Sequence, residues 1–131
     1  MIDVSALPGK LSGILEKTFP KSFARGEGLK LKVEISAGAK GYSVVSRDAA
    51  SVAIACGSTS DLLCAAGDLL CDDLPEAGAS RAPRFEFRGI SLDCSRNGSP
   101  TVEFLQDARV RLAMMGLTHL CLYTEDTYEV E

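Results

Sequence analysis

The chain has 131 residues, 46% of them hydrophobic and 24% charged, with 12 glycines and 5 prolines. That balance belongs to an ordinary globular protein and excludes a disordered, fibrous or membrane-spanning chain, while the length bars a complete α/β barrel of about 250 residues. Basic and acidic residues number 14 and 18, a net charge of −4, and neither sign gathers into a run, so nucleic acid is not an expected partner.

Met1-Ile2-Asp3-Val4 carries an acid early, with no basic stretch leading into an apolar one. No secretory signal is expected, nor a membrane helix, which needs roughly 18 continuous apolar residues; the expected location is cytoplasmic. The five cysteines (Cys56, Cys64, Cys71, Cys94 and Cys121) are odd in number and never spaced CxxC. They read as small reduced core residues, and no disulfide framework, metal site or cofactor is expected.

Leu11, Ile14, Leu15 and Phe19 recur at helical spacing after Pro8-Gly9, which predicts an amphipathic helix from about Lys10 to Thr18, closed by Pro20. Gly26-Glu27-Gly28 lacks the third glycine and the following helix of a phosphate loop and reads as a turn. Leu29, Leu31, Val33 and Ile35 alternate with Lys30, Lys32 and Glu34, the pattern of an antiparallel strand with one wet face. Tyr42 to Arg47 and Ser51 to Cys56 are two more strands, joined as a hairpin by Asp48-Ala49-Ala50. Ser60-Asp61 offers a cap for a helix running to about Asp72, whose stripe is Leu62, Leu63, Ala66, Leu69 and Leu70. The expected first unit is α+β: a small antiparallel sheet covered by helices on one face.

Leu74 to Pro83 is rich in Pro, Ala, Gly and Ser, the composition of a connection. Beyond it, Phe87 to Cys94 reads as a strand in which Asp93 is a buried acid holding Arg96 or the loop backbone. Ser95 to Gly98 is a polar loop, and Ser99 with Pro100 at the first helical position, or alternatively Thr101, caps a helix. Leu105, Ala108, Leu112 and Met115 share one side of that helix, and Gly116 ends it. Leu117 to Tyr123 is an apolar strand that holds His119, the single histidine, as a core residue. Strand, helix and strand make one right-handed βαβ unit. Two domains are expected, residues 1–82 and 83–131. A lone βαβ unit cannot cover both faces of its sheet, so the second domain is expected to be the start of a larger parallel domain, cut short at Glu131.

Arg88-Gly89-Ile90-Ser91-Leu92-Asp93-Cys94-Ser95-Arg96, Thr101-Val102-Glu103-Phe104-Leu105, Met115-Gly116-Leu117-Thr118-His119-Leu120 and Thr124-Glu125-Asp126 resemble, in that order, the family 20 glycoside hydrolases, the β-N-acetylhexosaminidases. Gly41 to Val45, Val52 to Ile54 and Gly57 to Leu70 are similar to the small α+β domain that precedes the catalytic barrel of that family. The resemblance implies a non-catalytic accessory domain followed by the first β-α-β of a truncated (β/α)8 TIM barrel. It implies that Arg96, just past the first barrel strand, grips hydroxyls of a terminal N-acetylhexosamine, for which a guanidinium's forked donors suit two vicinal oxygens. Glu125 stands where the family usually has an aspartate that supports the active site, and Asn97 where it often has histidine. Arg88, at the start of the strand, reads as structural.

The family's reaction is substrate-assisted and retaining: the acetamido oxygen attacks the anomeric carbon, an aspartate orients that group, and a glutamate protonates the leaving oxygen. That Asp-Glu pair lies on a later barrel strand, so this chain carries no catalytic residue of its own and is expected to be inactive. The implied partner is an N-acetylhexosamine-containing glycan, and the uncovered strands imply self-association of the chain alone. The alternative is a stand-alone α+β structural or interaction module without hydrolase activity.

Overall fold

The computed structural model describes residues 1–36, 38–95 and 98–125. Its first sheet has six strands: β1 (Ile2–Asp3), β2 (Phe23–Ala24), β3 (Leu29–Ile35), β4 (Tyr42–Arg47), β5 (Ser51–Cys56) and β6 (Ser80–Arg81), in the order β2-β1-β3-β5-β4-β6. The expected hairpin is present, β4 pairing antiparallel to β5, with a bulge between Val44 and Ser46. The expected all-antiparallel sheet is not. β5 inserts between β4 and β3 and runs parallel to β3, which is also parallel to β1. Alternation along β3 reports a sheet covered on one face, and that arrangement is open to parallel strands as well as antiparallel ones.

The covered face carries Ile2, Phe23, Leu31, Val44, Val52, Ile54 and Cys56, all buried; Lys30, Lys32 and Glu34 stand exposed on the other face. Over the buried row lie α1 (Gly9–Thr18), through Leu11 and Leu15, and α2 (Thr59–Leu70), through Leu62, Leu63, Ala65 and Ala66. Ser58, not Ser60-Asp61, caps α2: its Oγ accepts from the Asp61 amide at 3.1 Å and donates to the Asp61 carboxylate at 2.7 Å. The helix stops at Leu70, two residues early, and Asp72 has a left-handed φ of 55°. Within the stretch read as a connection, Leu74 is buried and β6 pairs antiparallel to β4.

The second sheet is β7 (Gly89–Asp93) and β8 (His119–Tyr123), parallel, joined by α3 (Val102–Met114). The βαβ unit is therefore present as expected. Thr101 is the cap of α3, its Oγ1 accepting from the Phe104 amide at 3.2 Å, while Ser99 Oγ instead donates to the Cys94 carbonyl. Gly116 follows the helix with φ 80°.

α3 has two working sides rather than the single expected one. Leu105, Ala108 and Leu112 look toward Ile90, Leu92 and Leu120 of the two strands, whereas Val110 and Met114 are buried in the core formed by α1, α2 and the first sheet. Met115, expected on the buried side, is 74% exposed. The contact with α2 is close because Gly67 lies against Met114: a Cβ there would enter the Met114 carbonyl. Arg111 closes the other end, its guanidinium 4.7 Å from the centroid of the Phe19 ring.

Candidate functional site

β7 and β8 are paired in register from Gly89↔His119 to Asp93↔Tyr123. Being parallel, they deliver their following segments side by side at one end of the sheet, and the Cys94 amide donates to the Tyr123 carbonyl at 2.8 Å to continue the ladder there. Residues of equal parity in a parallel pair share a face. Ile90, Leu92 and Leu120 turn to α3, so Ser91, Asp93, His119, Cys121 and Tyr123 share the opposite face. All five are exposed.

Asp93 is thus not the buried acid expected from its place late in an apolar strand. Its Oδ1 accepts from both the amide (2.8 Å) and the hydroxyl (2.5 Å) of Ser95, which holds the start of the loop after β7. These two bonds keep its carboxyl below the usual aspartate range. Arg96 and Asn97 lie outside the described residues. Glu125 is described: it is exposed, separated from β8 by Thr124, in left-handed backbone with φ 51°. Asp93, the last residue of β7, and Glu125, two residues past the end of β8, thereby come to the same end of the sheet.

The opposite end is held by Arg88. Its Nε donates to the Gly116 carbonyl at 2.6 Å and its Nη1 to the Phe85 carbonyl at 2.5 Å, while its own carbonyl accepts from the Thr118 and His119 amides. This is a backbone brace between the segment before β7 and the turn before β8. His119 is exposed, contrary to its expected core position, and stacks on Phe87 with ring centroids 4.1 Å apart. A histidine at the first position of a strand lies at the rim, where apolar neighbours in sequence do not guarantee burial. Two cysteines also depart from the core reading: Cys56 and Cys94 are buried, but Cys71 and Cys121 are exposed; all five thiols are free.

One polar cluster had no sequence motif. Tyr42, buried on β4, donates its hydroxyl to Asp68 at 2.5 Å, and Arg81 on β6 donates from Nη1 to Asp68 and Asp73, both at 2.8 Å, and from Nη2 to the Asp73 carbonyl. Burial first, then the bond to Asp68, drives the Tyr42 phenol up from its ordinary value. The bond to Asp73 is the largest cause of the raised Arg81 value. The only sequence signal was a tyrosine at an inward position of a strand, which needs a partner for its hydroxyl. With Arg81 occupied by two carboxylates and a carbonyl, this cluster fastens the chain after α2 to the sheet.

Among the described residues no group of three or more His, Cys, Asp and Glu side chains is placed to hold a metal ion, and no helix is long and apolar enough to cross a membrane. The molecule is a mixed α/β protein: a six-stranded sheet with helices on one face, and a parallel βαβ unit docked on those helices. No protein-family model matches the chain, and no curated protein matches it.

Proposed function

We propose that this chain is the N-terminal portion of a β-N-acetylhexosaminidase of glycoside hydrolase family 20, with an accessory domain and the first β-α-β of the catalytic barrel. The observation that carries the reading is the parallel pairing of β7 and β8, which starts the segments after Asp93 and after Tyr123 side by side. Barrel enzymes bind substrate at that end of their strands. It agrees with a resemblance that spans about Phe85 to Asp126 in order, and whose sugar-binding arginine corresponds to Arg96.

In this reading Arg96 forks its donors onto two hydroxyls of the terminal sugar, and Glu125 supports the neighbouring part of the site. The protonating glutamate and the acetamido-orienting aspartate come from a later strand. Asp72 and Asp73 do not substitute for them, since Asp72 pairs with Arg47 at 3.3 Å and Asp73 with Arg81.

The test is expression of the longer reading frame that contains this chain, assayed on a nitrophenyl N-acetylglucosaminide, with three variants. Arg96→Ala is expected to lower catalytic efficiency by the equivalent of about 1.5–3 kcal/mol, the worth of a charged hydrogen bond. Arg96→Lys recovers little of it, because an ammonium cannot fork, and Arg88→Ala lowers thermal stability with Michaelis parameters nearly intact. The reading fails if the longer frame adds no further βα units, or if Arg96→Ala keeps wild-type efficiency.

A further inference from the structure

We infer that the outer edge of β8 is a self-pairing surface, through which two copies of this chain associate by antiparallel pairing of His119–Tyr123 about Cys121. In a parallel pair, residues of one parity turn both N–H and C=O to the same neighbour. The His119 amide donates to the Arg88 carbonyl and the Tyr123 carbonyl accepts from the Cys94 amide, so His119, Cys121 and Tyr123 give their backbone to β7. Leu120 and Leu122 turn theirs outward. Among the described residues no strand lies on that side of β8, and no loop or turn bonds to the backbone of either leucine. Such an edge is a template for another strand, and β8 has no lysine, proline or bulge to keep one away.

The side chains along the edge select a second copy, because the strand reads alike from either end: aromatic ring, leucine, cysteine, leucine, aromatic ring. Under a two-fold axis through Cys121, Leu120 falls opposite Leu122 of the second copy and His119 opposite its Tyr123, each pair occurring twice. The leucine pairs take the hydrogen-bonded positions, on the face toward α3. Cys121 meets its own copy at a non-hydrogen-bonded position, where Cα atoms stand about 4.5 Å apart and side chains come closest. His119, Cys121 and Tyr123 are exposed on the face away from α3, and Leu122 is 42% exposed, so the pairing covers surface that one copy leaves to water. Between the start of β8 and Thr59, Ser60 and Leu63 of α2 lies a cleft of about 340 Å³, which leaves room for the second copy's chain past Tyr123. In the proposed enzyme a further barrel strand would take this edge; the inference concerns the 131-residue chain by itself and does not rest on that reading.

The test is oxidation of the whole chain with copper(II)–phenanthroline, read on non-reducing gels, beside sedimentation equilibrium of the reduced protein. Two copper(II) ions take one electron each as two thiols lose their protons and join. The wild type is compared with Cys121→Ser, Cys71→Ser and Leu122→Lys, with circular dichroism to confirm that each folds. A Cα separation of about 4.5 Å suits a disulfide, so the wild type and Cys71→Ser are expected to form a covalent dimer that Cys121→Ser does not. Leu122→Lys sets an ammonium into each leucine pair and is expected to weaken the reduced dimer about tenfold or more. A reduced wild-type chain that stays monomeric up to about 1 mM overturns the inference. So does a cross-link lost in Cys71→Ser but kept in Cys121→Ser, which would put the other exposed thiol at the contact, or a dimer that Leu122→Lys leaves at wild-type strength. If Leu122→Lys does not fold, the two cysteine variants decide. None of these outcomes depends on hexosaminidase activity.

Discussion

Asp68 is shared by two donors from different strands, Tyr42 Oη and Arg81 Nη1. Tyr42→Phe removes one hydrogen bond to a charged acceptor, and a loss of about 1.5–3 kcal/mol is expected. Arg81→Ala removes the other together with both bonds to Asp73; because Arg81 is partly exposed, its loss is expected near the lower end of that range. Both act through one carboxylate, so urea melts of the double variant should depart from additivity by about 0.5 kcal/mol or more. Additive losses would show that Asp68 does not couple them. Asp3 gives a pH signature. The Gly26 amide, then that of Ser5, each at 2.8 Å, hold its carboxyl below the ordinary value. A lowered folded-state value means this stabilisation is complete above the unfolded carboxyl value and is lost as pH falls through the folded one. Asp3→Asn should therefore flatten the decline of the urea midpoint below about pH 4, and an unchanged slope would remove Asp3 from the acid transition.

The elements depend on close approach at few positions. Gly67 allows α3 onto α2, and Gly67→Ala is expected to cost about 1–3 kcal/mol by forcing the helices apart. Gly13, inside α1, has nothing within 4 Å of the position a Cβ would take. Gly13→Ala should thus stabilise by about 0.5–1 kcal/mol, through backbone entropy alone. Thermal melts of the two variants moving in the same direction would contradict this. The helices and longer strands were legible because period and cap residues are local: α1, the β4–β5 hairpin and β7-α3-β8 all lie where their patterns put them. Strand direction in β3 was not, since one covered face gives the same alternation in either sense. β1, β2 and β6 are two residues each, too short to show any period. Of the site, the positions after β7 and β8 were legible from the βαβ pattern, whereas the exposure of Asp93 and His119 depends on what covers the second face of a two-stranded sheet. The Tyr42–Asp68–Arg81 cluster joins residues far apart in sequence, and no local pattern encodes such a meeting.

At the scale of the molecule, one half is closed and the other open. The first sheet and its helices enclose a common core that α3 joins, while Phe85 and Phe87 are each 69% exposed, and Ile90, Leu122 and Tyr123 are exposed on β7 and β8. Amide exchange is expected to be much faster in β7 and β8 than in β3 and β5. Protection of His119 to Leu122 equal to that of Val52 to Ala55, in a monomeric sample, would contradict it. In the proposed enzyme the remaining strands and helices would cover these residues, and the chain by itself is expected to show no turnover of a nitrophenyl N-acetylglucosaminide; turnover by the pure chain would overturn this.

The docking of α3 on α1 and α2 also bears on the order of events as the protein is made. The ribosome releases the six-stranded unit first, and amino-terminal units generally fold before later ones emerge. When α3 follows, Val110 and Met114 meet a surface already built from α1 and α2, with the notch at Gly67 open to receive the Met114 backbone. The helix is caught at the moment when it has only β7 before it and no sheet to lie on. The six-stranded unit thus serves as a template during synthesis: it holds α3 in place, so that β8 can pair with β7 before that nascent edge finds another chain.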